Sequence, residues 1–198
     1  LIQAVRYQPQ IETVSEPAKA ALQVICEGQK SASRDEFGRQ RPINWTVKPY
    51  PQKAVAARLE LEKPHGGVAR QWFTGGDILA LLPLSGAQGN LAALVWSVSV
   101  ERAGALENLP PEEFCKALQA VCGQETGSLR LASERASWPL SLSSAGHWVG
   151  PGWALAGDAA HTVHPLAGQG LNLGLADAAC LARVLAERFG RVVMIDRD

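Results

Sequence analysis

The chain lacks an excess of charge of either sign: 19 Lys and Arg face 19 Asp and Glu over 198 residues, for a formal net charge of zero. That balance argues against a nucleic-acid binder living on phosphate contacts. Long hydrophobic runs are also missing. The longest, such as residues 78–82 and 91–96, fall far short of the roughly 18 residues a bilayer span needs. No membrane-crossing helix is expected, and no basic segment followed by an apolar stretch marks the chain for secretion. A cytoplasmic location is the expectation. The four cysteines, Cys26, Cys115, Cys122 and Cys180, form no CxxC, which excludes zinc ribbons and thioredoxin-like redox chemistry. Their apolar surroundings predict buried free thiols. No GxSxG elbow is present, and no serine stands where a histidine would activate it, so nucleophilic hydrolysis is unsupported.

What is there is a core-forming composition, 46% hydrophobic, enough for one large domain or two small ones. Residues 21–25 read as a buried strand, and the polar stretch 34–41 after it as loop. At Val55, Ala57, Leu59 and Leu61 the period-2 alternation of a half-buried strand is clear. Segments 68–73, 78–82 and 91–98 follow, separated by Gly, Pro, Asp and Asn, which predicts an antiparallel meander. Pro110, Pro111, Glu112 and Glu113 start a helix that should stop at Gly123. Residues 129–138 read as a strand ended by Pro139, and 141–152 as loop or turn.

The last third carries the chemistry. A short strand at 153–156 leads to Gly157-Asp158, then to a Gly-rich loop, Pro165 to Gly170, and an apolar helix to about residue 189. Leu171, Leu175, Ala178, Ala182 and Leu185 recur at helical spacing and predict its buried face. Gly168, Gly170 and Gly174 cost helix stability, so something must press close to the backbone there. A Gly-rich helix start offers unpaired N–H groups and a positive dipole end to an anionic group, and Asp158 can accept hydrogen bonds from ligand hydroxyls. The competing reading is that Asp158 caps a turn and the glycines only permit tight packing. The GxGxxxG spacing is not the dinucleotide fingerprint, because its first Gly lies well beyond the strand. His161 and His164 with Asp158 match no standard zinc pattern, and no metal site is expected.

These residues carry a family resemblance. The run from Gly157 to Gly174, with Asp177-Ala178 after it, resembles the second flavin-binding motif of the FAD-dependent aromatic hydroxylases (group A flavin monooxygenases). Its wording His164-Pro165-Leu166-Ala167-Gly168-Gln169-Gly170-Leu171-Asn172-Leu173-Gly174 is most similar to the ubiquinone-biosynthesis hydroxylases of the UbiH/VisC type. Glu27-Gly28-Gln29-Lys30-Ser31-Ala32-Ser33-Arg34 resembles the Asp-Gly-x-x-Ser-x-x-Arg motif of the same family, with Glu27 in place of Asp. No strand-GxGxxG-helix for the ADP half of FAD occurs in the chain, and the tail from 191 to 198 departs from the family pattern. The resemblance therefore covers the middle and C-terminal part of a longer enzyme, and weak FAD retention by this chain alone is expected.

The resemblance implies an α/β fold with an α+β insert: a partial FAD-binding domain, 1–50 and 141–198, around an antiparallel-sheet substrate domain, 51–140. It implies that Asp158 binds the ribityl chain and that the helix start faces the pyrimidine edge of the flavin. The implied cofactor-binding set is Asp158, Gly157, Pro165, Gly168, Gln169, Gly170, Leu171, Asn172, Glu27 and Gly28, with no catalytic base named. It implies FAD and NAD(P)H as cofactors, molecular oxygen as oxidant, and hydroxylation of an aromatic ring, a polyprenylated phenol of ubiquinone synthesis. Such a substrate brings peripheral contact with the inner face of a membrane or with a biosynthetic complex, and an exposed flavin groove brings self-association. The alternatives are a non-catalytic binding or assembly fragment, a hydroxylase of another aromatic compound, and a reductase acting on isoprenoid chains.

Overall fold

Seven strands of one antiparallel sheet organise most of the chain, and a second sheet of three strands sits beside the Gly-Asp turn. The computed structural model describes residues 2–16, 18–40, 43–165 and 168–195. Elements follow in the order α1 (Ile2–Val5), β1 (Gln23–Ile25), α2 (Ala32–Gln40), β2 (Trp45–Leu61), β3 (Arg70–Thr74), β4 (Asp77–Pro83) and β5 (Leu91–Ser99). Then come α3 (Val100–Asn108), α4 (Pro111–Cys122), β6 (Leu129–Leu131), β7 (Ala136–Ala145), β8 (Val149–Gly150) and β9 (Trp153–Leu155). A 3-10 turn (Gly157–Ala159), β10 (His161–Thr162) and α5 (Gln169–Ile195) complete the chain. The mixed α/β class with an antiparallel sheet is as the sequence predicts.

The large sheet runs β10-β7-β2-β5-β4-β3, with β6 also on β2. The meander holds for β3, β4 and β5, but β2 pairs with β5 and not with β3. Period 2 sorts the side chains. Val55, Leu59, Leu79, Leu94 and Trp96 point to one face and meet Phe114 and Leu118 of α4 and Leu106 of α3 in the main core. On the opposite face stand smaller residues, Ala54, Ala80 and Val95 among them. In the small sheet β1 pairs parallel with β9, and its Ile25 packs with Trp153, Leu155, Ala159 and Ala160 in a second cluster.

Several local readings need correction. The polar stretch assigned to loop is helix α2 up to Gln40; Arg41 lies outside the described residues. It has no apolar stripe to betray it, but Ser31 Oγ accepts the Arg34 N–H at 3.1 Å and Glu27 accepts the Ser33 N–H at 3.1 Å, which caps its first turn. Phe37 then packs edge-on against Trp153, centroids 5.6 Å apart. Helix α3 follows β5 where the sequence marks no element; the Ser99 side chain caps it by accepting the Arg102 N–H. The strand read as 129–138 is two strands, and β7 runs straight through Pro139 and over part of the predicted loop. Pro139 is tolerated because β2 bulges between Pro49 and Lys53, where the ladder is already interrupted.

Helix α5 has its periodicity right and its rotation wrong. Leu171 is 74% and Leu175 55% exposed, and Ala178 and Ala182 are exposed with them. The partly buried face is Gly170, Gly174, Asp177, Leu181 and Leu185. Polar Asp177 on that face is the reason for the rotation, as its hydrogen bonds below show. The cysteines divide also: Cys122 is buried, Cys115 half-buried, and Cys26 and Cys180 are exposed. Burial pushes the Cys122 thiol up to about 11. Among the described residues no helix is long and apolar enough to cross a membrane.

Candidate functional site

The turn after β9 is set by one backbone requirement. Gly157 has φ +60°, a conformation that L side chains rarely adopt, and it lets the chain leave the small sheet and close a 3-10 turn through Ala160 N–H to Gly157 C=O at 2.8 Å. Gly174 of α5 crosses directly over it: a Cβ at 174 would lie 3.4 Å from Gly157 Cα. That glycine is therefore explained by packing of helix on turn. Gly170 is different, because a Cβ there would stand 3.7 Å from Asp158 Oδ1, beside the carboxylate that faces the cavity.

Asp158 is exposed, and among the described residues its carboxylate has no hydrogen-bond partner. It lines a cavity of about 280 Å³ together with Pro165, Gly168, Gly170 and Leu171 from the loop and helix start. Gln29, Trp138, Leu140, Ser141 and Thr162 close the other sides. Of the residues singled out in the sequence, Asp158, Pro165, Gly168, Gly170 and Leu171 thus come together, with Gly157 as the hinge of the turn. Gln169 and Asn172 sit on the exposed start of α5 and outside the lining. Leu166 and Ala167 of the motif lie outside the described residues.

Glu27 and Gly28 also stand outside the lining, whereas their neighbour Gln29 is part of it and donates to Ser141 Oγ at 3.2 Å. The Glu27 carboxylate serves α2: hydrogen bonds from the Ser33 hydroxyl and N–H, then from Ser31, hold it below the usual carboxylate range. The last residue of that motif, Arg34, is 6% exposed. It donates to Gln29 C=O at 3.1 Å, lies over the Trp45 ring at 4.1 Å, and reaches Ala159 C=O in the Gly-Asp turn at 3.5 Å. The two motifs, more than a hundred residues apart, are joined by this one side chain.

Neither histidine lines the cavity. His161 donates from Nε2 to Asp177 Oδ2 at 2.8 Å and stacks on Trp148 at 4.7 Å. His164 meets Gln52 at 3.3 Å and the edge of Tyr50 at 5.0 Å, and burial lowers its pKa below the ordinary 6.5. Gln29, Thr162 and Asp177 stand within or beside the two motifs but were not among the expected cofactor-binding residues, whereas Trp138 and Ser141 carry no local signal of their own.

A second cavity, about 420 Å³, shares Pro165 and Gly168 with the first and lies on the open face of the sheet. Its other walls are Ala69, Ala80, Leu82, Val95 and Gln71. A larger hollow of about 820 Å³ lies away from both motifs, where Glu107, Arg135 and Ser137 line it and are engaged by Lys53, Leu106 and one another. It has no connection to the turn.

The donor set of the first cavity fits part of FAD. An unpartnered carboxylate suits sugar-alcohol hydroxyls, and a glycine-lined helix start suits a delocalised negative charge. At about 280 Å³, the lower edge of the roughly 300–1,000 Å³ common for small-molecule sites, it has room for a ring system and not for a whole dinucleotide.

Comparisons with known proteins point to the same cofactor. The family profile described as FAD binding domain matches residues 4–190. Ubiquinone hydroxylase UbiL of Rhodospirillum rubrum is 37% identical over 174 residues, covering 87% of this chain and 39% of that protein. The mitochondrial ubiquinone biosynthesis monooxygenase COQ6 of Mus musculus is 34% identical, covering 83% and 40%. The chain thus spans about two fifths of the length of these curated relatives. Among solved structures, pqsL of Pseudomonas aeruginosa, described as a probable FAD-dependent monooxygenase, superposes with a TM-score of 0.70 at 26% identity, over 84% of this chain and 46% of that one. Aklavinone-11 hydroxylase, solved with FAD and aklavinone, shares the fold with a TM-score of 0.63 at 20% identity, over 82% and 30%.

Proposed function

Because the chain belongs to the FAD binding domain family, we propose that it builds the ribityl and ring part of the flavin site, and the adjoining substrate face, of an FAD-dependent monooxygenase. The reaction is hydroxylation of an aromatic ring, and the substrate a polyprenylated phenol of ubiquinone biosynthesis, as the names of the relatives suggest. NAD(P)H is the reductant and molecular oxygen the oxidant. The bound flavin would supply oxygen activation and delivery of one oxygen atom to the ring. The three-part division into 1–50, 51–140 and 141–198 belongs to the same reading.

The observation that carries it is the meeting of two unlike cavities at Pro165 and Gly168. On one side Asp158 offers an acceptor for ribityl hydroxyls, while the first turn of α5 turns its positive end to the pyrimidine edge. Across the shared wall, Ala69, Ala80, Leu82 and Val95 make an apolar chamber that holds a ring against the flavin and keeps water out. On the same face of the sheet, Leu82 is 39% and Phe73 64% exposed, which extends the apolar surface outward for an isoprenoid tail. A tail of that kind is drawn from a bilayer, so peripheral membrane contact is part of the proposal. Exposed Leu171, Leu175 and Val184 on α5 support self-association of this chain.

Titration of the purified chain with riboflavin, followed by flavin fluorescence, tests the flavin site. Saturable binding that falls about 10- to 100-fold in Asp158→Ala, as loss of a charge-assisted hydrogen bond predicts, supports the proposal. Absence of binding to the folded chain, or binding indifferent to Asp158, overturns it.

A further inference from the structure

Asp177 sits on the packed face of α5, one turn after Gly174, where a leucine would add apolar contact. Its Oδ2 instead accepts two hydrogen bonds at 2.8 Å, one from the Gly157 N–H and one from His161 Nε2. Both partners belong to the Gly-Asp segment, and they bracket Asp158. One face of the His161 ring also stacks on Trp148, whose indole N–H is tied to Ala145 C=O at 2.8 Å. On the far side of Asp158, the Ala160 carbonyl accepts the Ala145 N–H at 2.8 Å, and Ala159 is fully buried. Residues 157, 159, 160 and 161 are thus each pinned by helix, strand or core. Asp158 is the member of this segment whose side chain no described residue holds.

A half-buried carboxylate placed in a helix-on-turn contact costs desolvation, which two good donors offset. A packing role alone does not ask for a charged group there. We propose that Asp177 and His161 are positioning residues of the flavin site: by anchoring both flanks of the turn they aim the Asp158 carboxylate into the cavity, so that the ribityl hydroxyls meet an acceptor already in place. This rests on the flavin reading above. Pre-organisation of that kind matters for affinity because the turn need not be ordered on binding.

The test compares riboflavin with lumiflavin, the same ring without the ribityl hydroxyls, on the full chain and on Asp177→Ala and Asp177→Asn, with amide hydrogen exchange of Gly157 measured without ligand. In Asp177→Ala, riboflavin affinity should fall about tenfold and lumiflavin affinity stay unchanged, while the Gly157 amide exchanges at least about tenfold faster. Asp177→Asn keeps an acceptor oxygen for both donors and should restore riboflavin binding to within about threefold. Equal losses for both flavins, or unchanged riboflavin binding with a deprotected Gly157 amide, overturn the positioning role and leave the flavin site standing. Failure of either flavin to bind the folded wild-type chain overturns the flavin reading and the positioning role with it. Should Asp177→Ala fail to fold, the Asn variant alone decides: a tenfold loss of riboflavin affinity there contradicts the acceptor role.

Discussion

Replacing Arg34 by Ala removes the side chain that joins the two motifs, and its cost can be worked out contact by contact. The Arg34 side chain is 7% exposed, so its hydrogen bond to Gln29 C=O at 3.1 Å is made largely out of water; a bond of this charged type contributes about 1.5–3 kcal/mol. Its approach to the Trp45 ring at 4.1 Å adds roughly 1 kcal/mol as a partly desolvated cation–π contact. The contact with Ala159 C=O at 3.5 Å is long, and the ion pair with 66% exposed Asp35 is screened. The sum is about 3 kcal/mol. With an m-value of about 2 kcal/mol/M for a chain of this size, the urea midpoint should fall by about 1.5 M. Tryptophan fluorescence is a suitable probe, since Trp45 and Trp153 lie in this cluster. Arg34→Lys keeps the charge and loses the planar fork, so about two thirds of the loss should remain. A midpoint shift below about 0.3 M for Arg34→Ala would refute the bridge as a stabilising element.

Phe114→Ala empties a site that is fully buried against Trp96 and Arg135, and should cost about 3–5 kcal/mol in the same urea titration; a loss under about 1 kcal/mol would contradict the main core as described. Native-state alkylation followed by peptide mass mapping should label Cys26 and Cys180 quickly and Cys122 only on unfolding, because the first two are exposed and burial pushes the last up to about 11; rapid labelling of Cys122 would contradict that placement. Glu27 is held below its ordinary 4.5 by Ser33 and Ser31, so its capping of α2 is complete above that pH and is lost as pH falls through the lowered native value. Glu27→Gln should therefore flatten the acid limb of the stability curve, and an unchanged limb would remove Glu27 from the cap.

Local pattern carried part of this protein far. Alternation at Val55, Ala57, Leu59 and Leu61 marked one strand and its core face, because side chains two residues apart share one side of a sheet, and Gly, Pro, Asp and Asn punctuation marked the strands that follow. Pro110, Pro111 and Gly123 bounded α4 within one residue, because each restricts the backbone by its own chemistry. Of the Gly-Asp turn and the Gly-rich loop singled out by the same kind of reason, Asp158, Pro165, Gly168 and Gly170 meet at one cavity. Tertiary structure alone decided the rest. Helix α2 is polar all round and is made a helix by caps from Glu27 and Ser31 and by Phe37 reaching Trp153. β7 passes through Pro139 only because β2, far away in sequence, bulges opposite it. Periodicity said that α5 has a face, but which face is covered depends on what lies across from it: Gly174 and Asp177 meet the turn, and Leu171 and Leu175 are left outside. Hydrogen bonds such as Arg34 to Ala159 and His161 to Asp177 span separations that no local spacing encodes. The residue types of the Gly-Asp turn and the helix start are thus written in the sequence, whereas which of them meet at one cavity is set by long-range contacts that exist only once the chain is folded.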